Sequence, residues 1–341
     1  MDPLTHGLVG ALTAQAVTRH RRIRPTLITG FFAALLADLD MFIYSASDPL
    51  LNVEIHRQFT HSLLFIPVGA LVATLIMFWF QRRYLSMAEV YVISFVGFAT
   101  SGLLDAFTSY GTQLFWPFSD VRLAWNVVSV VDPVITIGLM VAFYMLFRPE
   151  RHSLAPQRTS KWAYIGIGWL SFFLLFGYVQ RERAKSATLD IAREHQHIID
   201  RMVVKPTLGN RVLWRSTYIT NDTIYTNGVR LGYFGETVIY SGEHAPLITL
   251  NDFATLHGTE HHDDLLRFDH LSDGYLVQHP DEPDVIGDAR YSMLPTSLTP
   301  LWGIRMDSTN TDEHVGFDYF RDASKENRSQ LIRMLRGAEL E

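Results

Sequence analysis

Five stretches of the chain, 26–45, 62–80, 87–107, 128–147 and 162–179, run for about twenty residues with no more than two charges each. That is the length a helix needs to cross a hydrocarbon layer roughly 30 Å thick. A shorter apolar run, 4–18, comes before the basic cluster at 19–24. Its positive charges follow the apolar residues instead of preceding them, so it reads as a short N-terminal helix and not as a signal peptide. Beyond residue 180 the pattern changes. A polar helical segment, 181–204, stops before Pro206, and alternating segments at 211–220, 223–233, 237–241, 274–279 and 314–320 predict strands. Asn221-Asp222 and Asn227-Gly228 read as turns, and 324–341 closes the chain as a helix. The expected architecture is an α-helical polytopic membrane domain, residues 1–180, with about five spans and a short N-terminal helix. An α+β soluble domain with an antiparallel sheet follows at 181–341.

Charge supports this division. Residues 1–180 hold 12 Lys and Arg against 10 Asp and Glu, whereas the rest holds 17 against 25. The front is nearly neutral and apolar; the back has an ordinary acidic soluble composition. There is no cysteine, which excludes disulfides and thiolate metal sites. The short loops are asymmetric. Arg19, Arg21, Arg22, Arg24, Arg82, Arg83, Arg148, Arg151, Arg158 and Lys161 fall in one set, and only Arg57 and Arg122 in the alternate set. The positive-inside rule then predicts that the N-terminus, the loop with His56 and His61, the loop after Phe107 and all of 181–341 lie outside, in the periplasm of a bacterial inner membrane. The expected partners are the lipid bilayer and a lipid or phosphoester substrate. No nucleic acid is expected.

With that topology the ionisable residues of the spans converge. His6, Asp38, Asp40, His56, His61, Asp105 and Asp132 all fall toward the same leaflet, and such residues are costly in a membrane and mark functional sites. A single one of them reads more simply as a helix cap or an interfacial hydrogen-bond donor; the crowding on one side favours a site. The segments beginning "LTHG", "FTHS" and "ATSG" share a pattern that places Ser101 where the others have His6 and His61. Asp105 follows Ser101 by four residues, on one helical face. Asp38 and Asp40 are two residues apart, about 200° around a helix, so one faces a shared site and the other supports it.

Imidazole and carboxylate without sulfur suit zinc, and also manganese or iron. An arginine such as Arg57 grips an anionic oxygen through paired hydrogen bonds. One or two ions with these groups form an arrangement for hydrolysing phosphate esters.

The segments "MDPLTHGLVGA", "ALLADLD", "HRQFTHSL", "LLDAFTSYGTQLFWPFS" and "VVDPVIT" resemble the YdjM-type family of inner-membrane proteins, regarded as metal-dependent hydrolases. The resemblance is dense over 1–150 and thinner through "NRVLWRSTY" and "DARYSMLP". It carries a distant similarity to zinc-dependent phospholipase C and P1-type nucleases, which implies a helical metal core. On that plan His6 ligates one metal, Asp38 or Asp40 with His61 another, and Asp105 bridges them. The family pattern has a histidine at the position of Ser101, and His56 is the residue placed to compensate. The metal set is therefore His6, Asp38, His56, His61 and Asp105, with Asp38, Asp40 and Arg57 as the catalytic groups.

Two other classes compete. A non-catalytic scaffold or sensor would keep the helical core without the chemistry, and a transporter would line both halves of the bilayer with polar groups. The C-terminal segment "HGTEHHDD", 257–264, reads as an exposed acidic loop in preference to a second metal site, and the sheet as a cap over the membrane site or a surface for a partner.

Overall fold

The computed structural model describes residues 1–148, 160–233, 236–307 and 309–339. Arg151 and Arg158, counted above among the loop charges, lie outside the described residues, as do 340–341 at the end of the closing helix. The chain divides into two compact units. The first comprises 1–43, 55–178 and 208–210; the second comprises 44–54, 179–207 and 211–341.

The first unit is helical. Helix α1, Pro3–Thr18, starts on Asp2, whose carboxylate accepts from the Thr5 amide and hydroxyl, with Pro3 in the first turn where no backbone donor is needed. Helix α2, Ile23–Leu35, runs on into a 3-10 segment, Leu36–Phe42. Helix α3, Leu51–Ile55, is a single turn whose residues 51–54 belong to the second unit. Helices α4, Ile66–Gln81, and α5, Met87–Ala106, follow, with a capping box of Ser86 and Glu89 opening α5. Helix α6, Pro133–Phe147, is capped by Asp132, which accepts from the Ile135 amide. Asp132 thus serves its own helix. Helix α7, Lys161–Glu194, is a single 34-residue helix.

Among the described residues, four segments are long and apolar enough to span a membrane: Ile23–Phe42, Leu63–Gln81, Met87–Ala106 and Lys161–Glu194. The fifth expected span, 128–147, is only the 15-residue α6, because Asp132 and Pro133 fix its start five residues later than the apolar run begins. The exposure pattern suits lipid. Helix α4 buries Gly69, Ala70, Ala73, Thr74 and Met77 and exposes Leu71, Val72, Leu75, Ile76 and Trp79. Small residues turn inward and large apolar ones outward, since in lipid a helix gains more from close backbone packing than from hiding leucine. A close backbone contact joins α1, α2 and α5. A Cβ on Gly30 would lie 2.8 Å from the Gly10 carbonyl oxygen, and one on Gly97 would lie 2.7 Å from the Gly30 carbonyl oxygen. Only glycine lets these three backbones approach so closely.

The second unit holds two antiparallel four-stranded meanders. The first is β1, Arg201–Pro206; β2, Leu213–Thr220; β3, Thr223–Leu231; and β4, Thr237–Pro246, in that spatial order. The second is β5, Leu276–Gln278; β6, Val285–Asp288; β7, Trp302–Arg305; and β8, Gly316–Tyr319, again in order. Asn221 and Asp222 both take left-handed backbone angles, as a two-residue hairpin demands, and Thr220 pairs with Thr223. Asn227-Gly228 is not a turn. Both residues lie within β3, two positions after the register shift at Tyr225, where the glycine faces Pro295 and Thr296. The polar helix expected to reach residue 204 ends at Glu194, because Met202–Pro206 pairs with Trp214–Tyr218 instead.

Helix α8, Glu260–Leu271, puts Leu265 and Phe268 against Leu276, Ile286 and Ile304, with Leu50 from the 44–54 segment in the same core. Helix α9, Lys325–Arg336, buries Met334 against Leu213 and Tyr240. The expected acidic loop at 257–264 is in its second half the start of α8. Thr259 caps that helix, and His261 and Asp264 are buried.

Candidate metal centre

Three elements of the first unit meet over His61. The 3-10 segment after α2 carries Asp38 and Asp40, the last turns of α5 carry Asp105, and the first turns of α1 carry His6. All four side chains are buried, Asp38 the most accessible of them at 8%. Seven residues is long for a 3-10 helix, whose strained hydrogen bonding usually confines it to three or four. The tighter winding turns both Asp38 and Asp40 inward.

Ligand atoms of His6, Asp38 and Asp105 all lie within 4.8 Å of one another. His6 Nε2 is 3.0 Å from Asp105 Oδ1. His61 Nε2 sits 3.3 Å from both Asp38 Oδ1 and Asp105 Oδ2. The α-amino group of Met1 reaches the same place, 2.9 Å from His6 Nε2 and paired with Asp105. Two carboxylates thus converge on one buried point and gather whatever positive groups are within reach. Burial works against a charged His61, but the carboxylates of Asp105, Asp38 and Asp40 beside it outweigh that and push its pKa up to about 10. A cation entering the cluster would therefore have to displace a proton from this ring.

The residues fit a divalent metal on the chemistry of their unused atoms. His6 Nδ1, Asp38 Oδ2, His61 Nε2 and Asp105 Oδ2 are buried without a hydrogen-bond partner. Leaving one such group unpaired costs on the order of 1–3 kcal/mol. Two of them, His61 Nε2 and Asp105 Oδ2, are 3.3 Å apart and are potential ligand atoms with nothing yet to bind.

Asp40 and His56 stand apart from this set. Asp40 Oδ1 is 2.8 Å from His56 Nδ1, and Asp40 Oδ2 accepts from the Arg57 amide at 2.9 Å and the Thr60 hydroxyl at 2.5 Å. Both oxygens are engaged, so Asp40 braces the loop that carries His61. His56 is held by the same carboxylate, with a quarter of its side chain exposed. It does not fill the position opposite Ser101. Ser101 is buried too, and its hydroxyl donates to the Ala34 carbonyl at 2.8 Å, stitching α5 to α2.

Arg57 is placed as the anion-gripping group, though it is already engaged. Its Nε is 2.9 Å from Asp105 Oδ2, outside hydrogen-bonding alignment, and Nη1 donates to the Thr108 hydroxyl at 3.2 Å. The guanidinium lies 5.3 Å from the Tyr110 ring centre. Its backbone takes φ 61°, a left-handed angle that costs a non-glycine residue about 1 kcal/mol or more and persists only where the surroundings enforce it. They do: the Arg57 carbonyl accepts from the Gln113 amide and the Thr112 hydroxyl.

Several supporting residues carried no sequence signal of their own. Thr60 and Thr108 are ordinary threonines next to, and three residues after, charged site residues. Gly102 matters because its missing Cβ would lie 2.1 Å from the His61 carbonyl oxygen.

These residues fall in the part of the chain that relates it to known proteins. The family profile described as YdjM inner membrane protein matches residues 1–184. The chain belongs to the YdjM family. Within reach of that family's core, it is 32% identical over 110 residues to the inner membrane protein YbcI of Escherichia coli strain K12, covering 30% of this chain and 61% of YbcI. It is 29% identical over 164 residues to the uncharacterized protein YvsG of Bacillus subtilis strain 168, covering 43% of this chain and 97% of YvsG. The chain thus spans about three fifths of YbcI. No solved structure matches it. Family membership and the apolar helices place the YdjM-type unit in a membrane.

A second group in the other unit has ligand-like spacing: Asp48, Asp264 and His314. Arg267 already neutralises it, 2.9 Å from Asp48, 2.7 Å from Glu54 and 2.7 Å from Asp264. Among the described residues it is an ion-pair network holding the 44–54 segment to α8, with a bound cation already supplied by the chain.

Proposed function

We propose that the first unit is a membrane-embedded, metal-dependent hydrolase of a phosphoester, a lipid or lipid-linked phosphate, working at the periplasmic face of the inner membrane. One observation carries the reading. His6, Asp38 and Asp105 offer buried ligand atoms within 4.8 Å of one another, and Arg57 is beside them. His6, Asp38 and Asp105 would hold the ion, with His61 joining once its proton leaves. Zinc is the first candidate for a set of imidazoles and carboxylates. Bound there, a divalent metal lowers the pKa of water toward neutrality and draws charge from a phosphoryl oxygen.

The chain's own residues supply the rest. Asp38 Oδ2, without a hydrogen-bond partner, is the oxygen available to accept a proton from an attacking water. Arg57 keeps donors free beyond its contact with Thr108 and turns them to an anionic oxygen once a metal relieves it of neutralising Asp105. Asp40 holds the loop so that His61 and Arg57 arrive together.

The test is elemental analysis of detergent-purified protein before and after chelation, alongside a phosphodiesterase assay. The proposal expects about one or two equivalents of metal and an activity that chelation removes and zinc restores. Protein that holds no metal and cleaves no phosphodiester would identify the unit as a scaffold.

A further inference from the structure

Where α1 ends and α2 begins, the helices border an open cavity of about 810 Å³. Four arginines line it, Arg21, Arg22, Arg24 and Arg148, and among the described residues no aspartate or glutamate does. The nearest carboxylate in the adjoining recess, Glu89, is committed to His20 and Ser86. Two of the arginines are fixed by the fold. Arg22 donates to the Arg83 and Tyr84 carbonyls, and Arg24 Nε donates to the Phe147 carbonyl at 2.9 Å with its guanidinium over the Phe147 ring. Each keeps guanidinium N–H groups in reserve, because arginine has five. Arg21 and Arg148 are exposed and make no ion pair among the described residues.

The walls between the arginines are apolar, with Phe80, Met145, Leu146 and Trp162. Ile28 is shared with a second cavity of about 540 Å³, lined by Leu4, Leu8, Phe31, Phe32, Met140 and neighbouring aromatic residues of α6, and almost wholly nonpolar. Ile28 thus borders both a positive chamber and an apolar groove between α1, α2 and α6.

We infer that this composite cavity is a binding site for an anionic diacyl phospholipid, its phosphate held by Arg21, Arg22, Arg24 and Arg148 and an acyl chain lying in the groove past Ile28. Basic pockets between membrane helices select acidic headgroups by charge, while an adjoining apolar channel rewards a chain that a free anion lacks. Tyr84 and Trp162 at the rim suit the headgroup level, where amphipathic rings settle. The site does not depend on the metal reading, since it shares no residue with the cluster around His61.

The experiment is native mass spectrometry of the full chain released from detergent after exchange into mixed phosphatidylglycerol and phosphatidylcholine, with wild type, Arg21→Ala/Arg148→Ala, Met140→Trp, and Arg82→Ala/Arg83→Ala as a charge-matched control outside the cavity. Wild type and the control are expected to retain phosphatidylglycerol selectively. Each arginine removed from the cavity is expected to lower retention roughly fivefold, and Met140→Trp, which fills the groove, lowers it as well. Circular dichroism confirms that the variants remain folded. Equal retention of both lipids by wild type would mean annular lipid only and overturn the proposal. So would unchanged retention in the Arg21/Arg148 variant, or displacement of the lipid by millimolar inorganic phosphate with Met140→Trp without effect, which would mark a free-anion site.

Discussion

His56 Nδ1 lies 2.8 Å from Asp40 Oδ1, and this one contact separates the candidate site into a donor set and its support. Both residues are of types that bind metals, and both sit in the correct stretch of sequence. Because each satisfies the other, neither is available at the point where His6, Asp38 and Asp105 converge.

Asp105 and Asp40 should therefore respond differently to the same isosteric change. Asp105→Asn removes a charge at the convergence point, and bound zinc measured by elemental analysis should fall to background. Asp40→Asn leaves the donors in place but loosens their orientation, so affinity should drop by about 10- to 100-fold, as it does when a supporting partner is lost. Equal loss in both, by equilibrium zinc competition, would erase the distinction.

Replacing Ser101 with histidine is expected to weaken the unit and not to tighten metal binding. Ser101 is fully buried and bonded to the Ala34 carbonyl. An imidazole must displace α2 from α5, and overpacking of this kind costs about 1–3 kcal/mol. A higher zinc affinity for Ser101→His at unchanged thermal stability would show that the donor set was waiting for that ligand.

Gly102→Ala tests the other side of the same helix. The added methyl would meet the His61 carbonyl oxygen at 2.1 Å, so the 59–62 segment must shift. Phosphodiesterase activity is expected to fall by an order of magnitude or more, since small misplacements at a site are expensive, while helix content by circular dichroism stays the same. Full activity would mean that the His61 loop does not set the site.

His314 gives the second unit a pH-dependent contribution. Its bond to Asp264 at 2.9 Å, with Asp48 and Glu260 near, raises its pKa above the ordinary 6.5, against a smaller effect of burial. A raised histidine stabilises the fold in full below the unfolded value and loses that stabilisation as pH rises through the folded one. Stability of the full chain to denaturant should thus fall as pH rises above the ordinary histidine value of about 6.5, and His314→Gln should flatten that slope. An unchanged slope would place the pH dependence elsewhere.

The orientation of the proposed site is checked by reporter fusions. A periplasm-active phosphatase joined after residue 339 is expected to be active, and one inserted within 149–159 inactive. The reverse pattern would put the cluster around His61 on the cytoplasmic side.

Much of this was legible from the residues. The spans could be read because a membrane forces every backbone hydrogen bond inside the segment, which leaves a long uncharged run as the only spanning helical pattern. The hairpin at Asn221-Asp222 was legible because so few residues tolerate its left-handed angles. Asn227-Gly228 misled for a related reason: the same dipeptide that favours a turn also suits a strand beside a register shift, and the pairing of β3 with β4 decided between them. Strands β6 and β7 are four residues each, too short to show an alternation.

The sequence by itself determined which residue types the site can use, and that carboxylates and imidazoles would need one another's company among apolar helices, since charge in a lipid layer survives only with partners. Which of those residues share a point was decided by tertiary structure. Asp38 and Asp40 look alike along the chain. The 3-10 winding, the glycine contacts among α1, α2 and α5, and the turn enforced at Arg57 bring Asp38 to His6 and Asp105 while Asp40 meets His56 and Thr60. Donor atoms separated by 99 residues in sequence come within 3.0 Å only through helix packing, and no local pattern encodes that distance.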